Sequence, residues 1–295
     1  MSFTIAQTID DALAALAAGA RPVAGGSDLV VGARHGKAPL PGDLVAVDRI
    51  AELRSLDLSA DGARIGAGVN HHTLEHHPEI AATWPALADG SALVGSPSTR
   101  NVGTLGGNVM NASPAMDTGA PLVVLGAEVE LRSLRGTRRV GVAELWSGPG
   151  RTSADPDELC VAIHLPRPVA GSNSAYLRLE YRRAMEIAVV GAAASVTLAA
   201  DGSVSAVRVA LTAVAPTIIE VAGLSGGSVA DVAASAQAAA ADQARPISDV
   251  RASDRYRRHT VGVMARRAVE AAARRAAGEI VPVPVNRSIG IGAAS

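Results

Sequence analysis

Between Gly95 and Pro114 the chain changes character: Gly, Ser, Asn, Thr and Pro dominate, with glycines at 95, 103, 106 and 107. A second paired-glycine segment, Ala24-Gly25-Gly26-Ser27-Asp28, lies far upstream, at the end of a short strand-like run. Paired glycines let backbone N–H groups turn toward a bound anion with no Cβ in the way. Ser27, Thr104 and Asn108 add hydroxyl and amide donors at the edges. Each pair alone also reads as an ordinary turn. Together, two such loops from distant parts of the chain could clamp the two phosphates of a dinucleotide from opposite sides. Neither matches the Rossmann G-x-G-x-x-G or the Walker lysine loop, so a nicotinamide-fold or kinase-type reading has no support.

Composition narrows the partners. With 295 residues, 48% hydrophobic and 19% charged, the chain reads as globular, as one large domain or two ordinary ones. A formal net charge of −1 leaves no field to draw it onto nucleic acid or an anionic membrane. Aromatics are 2%, which removes the stacking surface of a single-strand binder. Cys160 is the single cysteine, so a disulfide framework is excluded. An iron–sulfur cluster, which takes about four ligands, must then sit on another chain. Basic charge is nearly all arginine, Lys37 being the one lysine. The start, Met1-Ser2-Phe3-Thr4, lacks a signal peptide's basic and apolar regions, and no run reaches the ~20 apolar residues of a membrane span. The expectation is a soluble, cytoplasmic protein.

Periodicity places the elements. Thr8 followed by Asp11 reads as a capping-box-like helix start, with Ile9, Leu13 and Leu16 on one face and Gly19 as the stop. Strand-like runs follow at 21–24, 44–47 and 64–69, then a helix over 117–125 and strands over 128–134 and 159–165. Pro, Gly and Ser cluster at 167–173, a candidate domain boundary. Beyond it, 175–181, 192–198 and 204–212 read as strands, the last two joined by a turn at Asp201-Gly202. Ala-rich 229–241 and the long stretch 254–277 read as helices, the second carrying Arg pairs expected to face solvent or a subunit interface. The reading is therefore α+β, with domains over 1–170 and 174–283 and an extended tail over 284–295.

The run Gly95-Ser96-Pro97-Ser98-Thr99-Arg100-Asn101-Val102-Gly103-Thr104-Leu105-Gly106-Gly107-Asn108 resembles the second FAD loop of the molybdenum hydroxylase flavin subunits. The continuation Asn111 to Asp117 resembles them too, as do Val23-Ala24-Gly25-Gly26-Ser27-Asp28-Leu29, residues 157–166, Arg182-Arg183-Ala184 to Val190, and Tyr256-Arg257-Arg258-His259. The likeness spans nearly the whole chain. It implies a two-lobed FAD-binding domain of the vanillyl-alcohol-oxidase/PCMH type, followed by a smaller domain of antiparallel sheet and helices. It further implies non-covalent FAD held at its pyrophosphate by 23–29 and by Thr104, Leu105, Gly106, Gly107 and Asn108. Asp117 would bond the ribityl chain, Arg182 would bring a cation near the isoalloxazine, and the backbone at Cys160 would approach the flavin or adenine. Val94 falls where some members carry an aromatic against the ring, and Ser27 where relatives often have Thr or His.

The same resemblance implies an oxidoreductase subunit that relays electrons. A large molybdopterin-binding subunit would oxidise the substrate, and a small [2Fe-2S] subunit would feed this FAD, the whole being a dimer of heterotrimers. Two other readings stand beside it: a free-standing FAD reductase or oxidase of the same fold, and a flavin-holding module without turnover. No side-chain pair is arranged as a nucleophile–base dyad, so no catalytic residue is assigned. Read bare, Asp117 would cap a helix starting at Thr118, Arg182 would be a solvated strand end, and Cys160 a buried apolar filler. His71, His72, His76 and His77 have i, i+4 spacing, but no neighbouring cysteine or H-E-x-x-H signature supports a metal, and none is expected.

Overall fold

The computed structural model describes residues 2–36, 39–182 and 184–288, so Lys37, Arg183 and the tail from 289 onward lie outside the described residues. The chain opens on a parallel three-stranded sheet of β1 (Ser2–Ile5), β2 (Arg21–Val23) and β3 (Asp43–Ala46), in the order β1-β3-β2. Helix α1 (Ile9–Ala17) joins β1 to β2. Its start is the capping box read from the sequence: Thr8 Oγ1 accepts from the Asp11 N–H at 3.1 Å, and Asp11 Oδ2 accepts from the Thr8 N–H at 2.9 Å. Ile9, Leu13 and Leu16 are buried, each large apolar side chain contributing roughly 1.5–3 kcal/mol. A short helix α2 (Leu29–Arg34) follows β2.

The second sheet is antiparallel. Its first strands, β4 (Leu56–Leu58) and β5 (Gly62–Gly66), precede a helical block of α3 (His71–His76), α4 (Pro78–Thr83), α5 (Pro85–Leu93), α6 (Pro97–Val102), α7 (Leu105–Asn111) and α8 (Gly119–Val124). Then come β6 (Glu128–Ser133), β7 (Gly136–Gly141), α9 (Val142–Leu145), the small pair β8 (Trp146–Gly148) and β9 (Arg151–Thr152), and β10 (Leu159–Pro166). The order β4-β5-β10-β6-β7 puts β10 in the middle, and residues 159–163 and 165 are buried there. Helices α4, α5 and α6 each open on a proline, where a missing N–H costs nothing. All nine residues of α5 are buried, so it is a core helix rather than an amphipathic one.

The third sheet is an antiparallel β11 (Ser172–Leu179), β12 (Val190–Leu198), β13 (Val204–Thr212) and β14 (Ile219–Glu220), with α10 (Val229–Gln243) and α11 (Asp254–Ala276) packed on it. Small side chains let this happen: Ala175, Ala192 and Ala194 meet Val261, Ala265, Ala268 and Ala272 in one buried cluster. Among the described residues, no helix is long and apolar enough to cross a membrane.

Three expectations are corrected. The Gly-rich stretch is mostly two short helices, because Ser96 and Thr104 cap them through side chains that accept from the Thr99 and Gly107 N–H groups. The Arg pairs of α11 are split: Arg257 and Arg275 are buried on ion partners, while Arg266 and Arg274 face solvent. The tail is not extended from residue 284, since α12 (Val285–Ser288) turns back with Val285 and Asn286 buried.

Candidate functional site

The two glycine segments, about eighty positions apart in sequence, touch. A Cβ on Gly25 would lie 1.8 Å from the Val102 carbonyl oxygen, and one on Gly103 would be 3.5 Å from Ser27 Oγ and from His71 Cδ2. Only glycine at 25 permits this approach, and Gly26, with φ +67°, turns the chain into α2. Val23 ends β2, its carbonyl taking the Val47 N–H at 3.0 Å. Ala24 packs on the core, Asp28 is exposed at the start of α2, and Leu29 is half-buried in its first turn.

The loops are chemically unlike. Among the described residues, the N–H groups of Gly25, Gly26 and Ser27 and the Ser27 hydroxyl have no protein partner. In the second segment the N–H groups of residues 105–108 are already used: Leu105 donates to Val69 O, Gly106 to Ala67 O, Gly107 to Thr104 Oγ1 and Asn108 to Thr104 O, at 2.9–3.1 Å. Its contribution is shape and one side chain. Gly106 allows α7 onto Ala67, where a Cβ would sit 2.5 Å from the alanine Cβ, while Leu105 is fully buried. Gly107 is exposed, with only Thr104 Oγ1 near a notional Cβ. Asn108 Oδ1 accepts from the Thr118 hydroxyl at 2.6 Å, which leaves its amide N–H groups without an acceptor among the described residues.

His71 completes the junction. It is 1% exposed, donates its backbone N–H to Gly103 O at 3.1 Å, and its Nδ1 has no hydrogen-bond partner. Burial, with the nearby Arg100 charge, lowers its pKa to about 4, so the imidazole is neutral at pH 7. Unpaired backbone N–H groups, a free hydroxyl and an orphaned buried imidazole nitrogen come together where the glycines remove side chains, with the Asn108 amide one turn further along α7. That set fits the pyrophosphate of a dinucleotide such as FAD, held by neutral donors.

Asp117 is not the cap of α8: the cap position is Thr118, and no side chain bonds the first turn. Its carboxylate is instead part of a buried cluster, accepting from Tyr176 Oη at 2.8 Å and Arg178 Nη1 at 2.7 Å. Arg178, 0% exposed, also donates to Glu180 Oε2 and to the Leu93 and Glu186 carbonyls. Burial pushes Asp117 up to about 6 although Arg178 and Tyr176 oppose the rise. An ionised carboxylate has about four acceptor sites, so capacity remains for one more hydroxyl.

The remaining expected residues spread outward from this centre. Val94 ends α5, half-buried, its carbonyl accepting from Arg100 Nη1 at 3.2 Å. Arg182 is exposed, paired with Glu186 at 3.3 Å, in a loop that reaches the same place because the Met185 N–H donates to Gly95 O at 2.9 Å. Cys160 is buried in β10 with its thiol pushed up to about 12 by burial, so it is inert. Its strand reaches the second glycine segment only by way of Ala67, whose N–H donates to Val161 O at 3.0 Å and whose carbonyl accepts from Gly106. Sequence reasoning missed Arg178 and Tyr176, whose alternating strand pattern hides a buried cation, and it missed His71, the first of four similar histidines. The cue for His71 was its place beside Asn70, which bridges to Thr104 in the structure.

Residues 1–168 match the family described as the FAD binding domain in molybdopterin dehydrogenase, and residues 175–272 the CO dehydrogenase flavoprotein C-terminal domain. The carbon monoxide dehydrogenase medium chain of Afipia carboxidovorans is 34% identical, over 87% of this chain and 90% of that one. The xanthine dehydrogenase FAD-binding subunit of Escherichia coli O157:H7 is 31% identical, over 95% and 98%. A solved structure of reconstituted CO dehydrogenase from Oligotropha carboxidovorans superposes with a TM-score of 0.88 at 31% identity, covering 93% of this chain and 98% of the other. The chain therefore belongs to the FAD-binding flavin subunits of the molybdopterin-dependent dehydrogenases, the molybdenum hydroxylase family.

Proposed function

We propose that this chain holds FAD non-covalently where its two glycine segments meet and serves as the electron-relaying medium subunit of a molybdenum-containing dehydrogenase. The observation that supports the reading is the set of unpaired N–H groups and hydroxyl of residues 25–27, brought against Gly103 and His71 by the missing Cβ of Gly25. The N–H groups of Gly25, Gly26 and Ser27, the Ser27 hydroxyl and the Asn108 amide would bind the pyrophosphate. Gly107 would leave room for its approach, Asp117 would accept from a ribityl hydroxyl, and Arg182 would supply a mobile cation at the outer edge. FAD contributes the capacity to take electrons one at a time and release one or two. The chain's part is binding, orientation and electrostatics.

Electrons would come from [2Fe-2S] clusters on a small partner subunit, fed by a large molybdopterin subunit, in a cytoplasmic dimer of heterotrimers. The single thiol of this chain is buried and protonated, which is why the clusters belong elsewhere. The domain division would fall at 167–173, in the turn after β10 and the first residues of β11. The purified chain should carry about one FAD, released by acid or heat and measured by absorbance of the supernatant. A colourless chain that cannot be reconstituted with FAD sinks the reading; flavin still attached after denaturation sinks its non-covalent part.

A further inference from the structure

Helix α3 carries a second constellation, one residue on from His71. One donor atom each from His72, Glu75 and His76 lies within 4.8 Å of the others. The His72 and His76 rings are exposed, tilted by 43°, with centroids 4.3 Å apart. We propose that these three side chains form a binding site for a zinc-class divalent transition-metal ion.

Three observations support it independently of spacing. First, His76 Nδ1 lies 2.9 Å from the His72 carbonyl oxygen, which can only accept. Nδ1 therefore carries the proton, and Nε2 keeps its lone pair for a ligand. An imidazole whose other nitrogen donates to a backbone carbonyl is the usual state of a metal-bound histidine. Second, the Glu75 carboxylate is nine-tenths buried and held in place by its ion pair with Arg100, 2.8 Å from Nε, so it is fixed beside the two rings rather than swinging in solvent. Its Oε2 lies 3.9 Å from His76 Nδ1, so the carboxylate stands beside the ring. Third, the donor set is two imidazoles and one carboxylate. That matches the three protein ligands plus water of an open zinc site. Magnesium and calcium want about six or more oxygens and find one side chain here.

The site would also have a consequence for the fold. Glu75 would be shared between the metal and Arg100, whose Nη1 holds the Val94 carbonyl at the entry to Gly95. A metal ion on α3 would thus tie that helix to the segment leading into the second glycine loop.

The test is calorimetric titration of the full flavin-loaded chain, its affinity tag removed and its metals stripped with chelator, with zinc chloride. Wild type should bind one zinc per chain. His72→Ala and His76→Ala should each weaken binding by at least ~10–100-fold, the range seen when even the outer support of a ligand is lost. Glu75→Gln should weaken it as well. Both histidines are exposed and outside the pyrophosphate donor set, so flavin content and circular dichroism should match wild type in their variants and certify folding. If wild type binds zinc no more tightly than the His72→Ala/His76→Ala double variant, the site is overturned, whether the common value is zero or reflects other histidines.

Discussion

His71 shows how a single residue links stability, pH and the cofactor site. Its pKa is lowered from 6.5 to about 4 because burial disfavours the imidazolium. Below pH 6.5 the unfolded chain takes up a proton that the folded chain refuses, so the fold loses stability as pH falls toward 4. The span corresponds to about 3 kcal/mol. Asp117 acts in the opposite sense: its carboxyl is raised from 3.8 to about 6, so its contribution is full below 3.8 and is lost as pH rises through 6. The two windows overlap, and a wild-type profile alone blends them. The comparison that isolates the imidazole is His71→Gln, whose amide does not titrate. The stability difference between wild type and His71→Gln should shift against wild type by about 3 kcal/mol between pH 7 and pH 4, read from urea midpoints. A difference that stays constant with pH would mean that His71 titrates normally.

At the scale of elements, the glycine segments divide their labour. Gly25 and Gly106 exist for protein contact: a Cβ at either would drive into Val102 O or Ala67. Gly107 is different. It lies in the first turn of α7 without a positive φ, and only the Thr104 hydroxyl, at 2.9 Å, would need to give for a methyl group. Exchanging glycine for alanine inside a helix gains up to ~1 kcal/mol. Gly107→Ala should therefore melt at or above the wild-type temperature while binding FAD at least ~10-fold more weakly, a loss of about 1.4 kcal/mol. Unchanged affinity would show that the flavin does not approach there. The position of both pairs was legible in the sequence from their Ser, Thr and Asn flanks rather than from the glycines alone, since Gly226-Gly227 is a pair as well. That the second pair starts a helix was not, since the cap comes from Thr104 and the surrounding residues are poor helix formers.

On the scale of the whole molecule, two hydrophobic cores are clasped by buried charge. One core is built almost wholly from residues before 166, with Tyr176, Ala193, Ala210 and Ile218 inserted from the other side, and the second from residues 175–285. Across the boundary, Asp89 of α5 takes both terminal nitrogens of Arg275 at 2.7 and 3.1 Å, the Tyr176 N–H at 3.1 Å and the Val285 N–H at 3.0 Å. Asn286 exchanges hydrogen bonds with the backbone of Arg178 at 3.0 and 2.7 Å, so the C-terminal segment locks β11 in place. Removing one member of a buried pair leaves the other uncompensated. Asp89→Ala should cost about 3–5 kcal/mol by denaturant unfolding. Asp89→Asn should cost less, because it keeps an acceptor for the backbone. A loss under about 1 kcal/mol in Asp89→Ala would show that the clasp carries no stability.

The sequence alone determined what is local: the capping box at Thr8, the long strands β11 to β13 and the two loci where backbone had to replace side chains. These follow from propensity and periodicity over a few residues, which act before any long-range contact forms. Tertiary structure decided which donors are free. Residues 105–108 spend their N–H groups on Val69, Ala67 and Thr104, residues 25–27 keep theirs, and Asp117 turns to Arg178 rather than to a helix end. A hydrogen bond between residues far apart in sequence depends on where two elements come to rest, and no pattern of spacing encodes that distance.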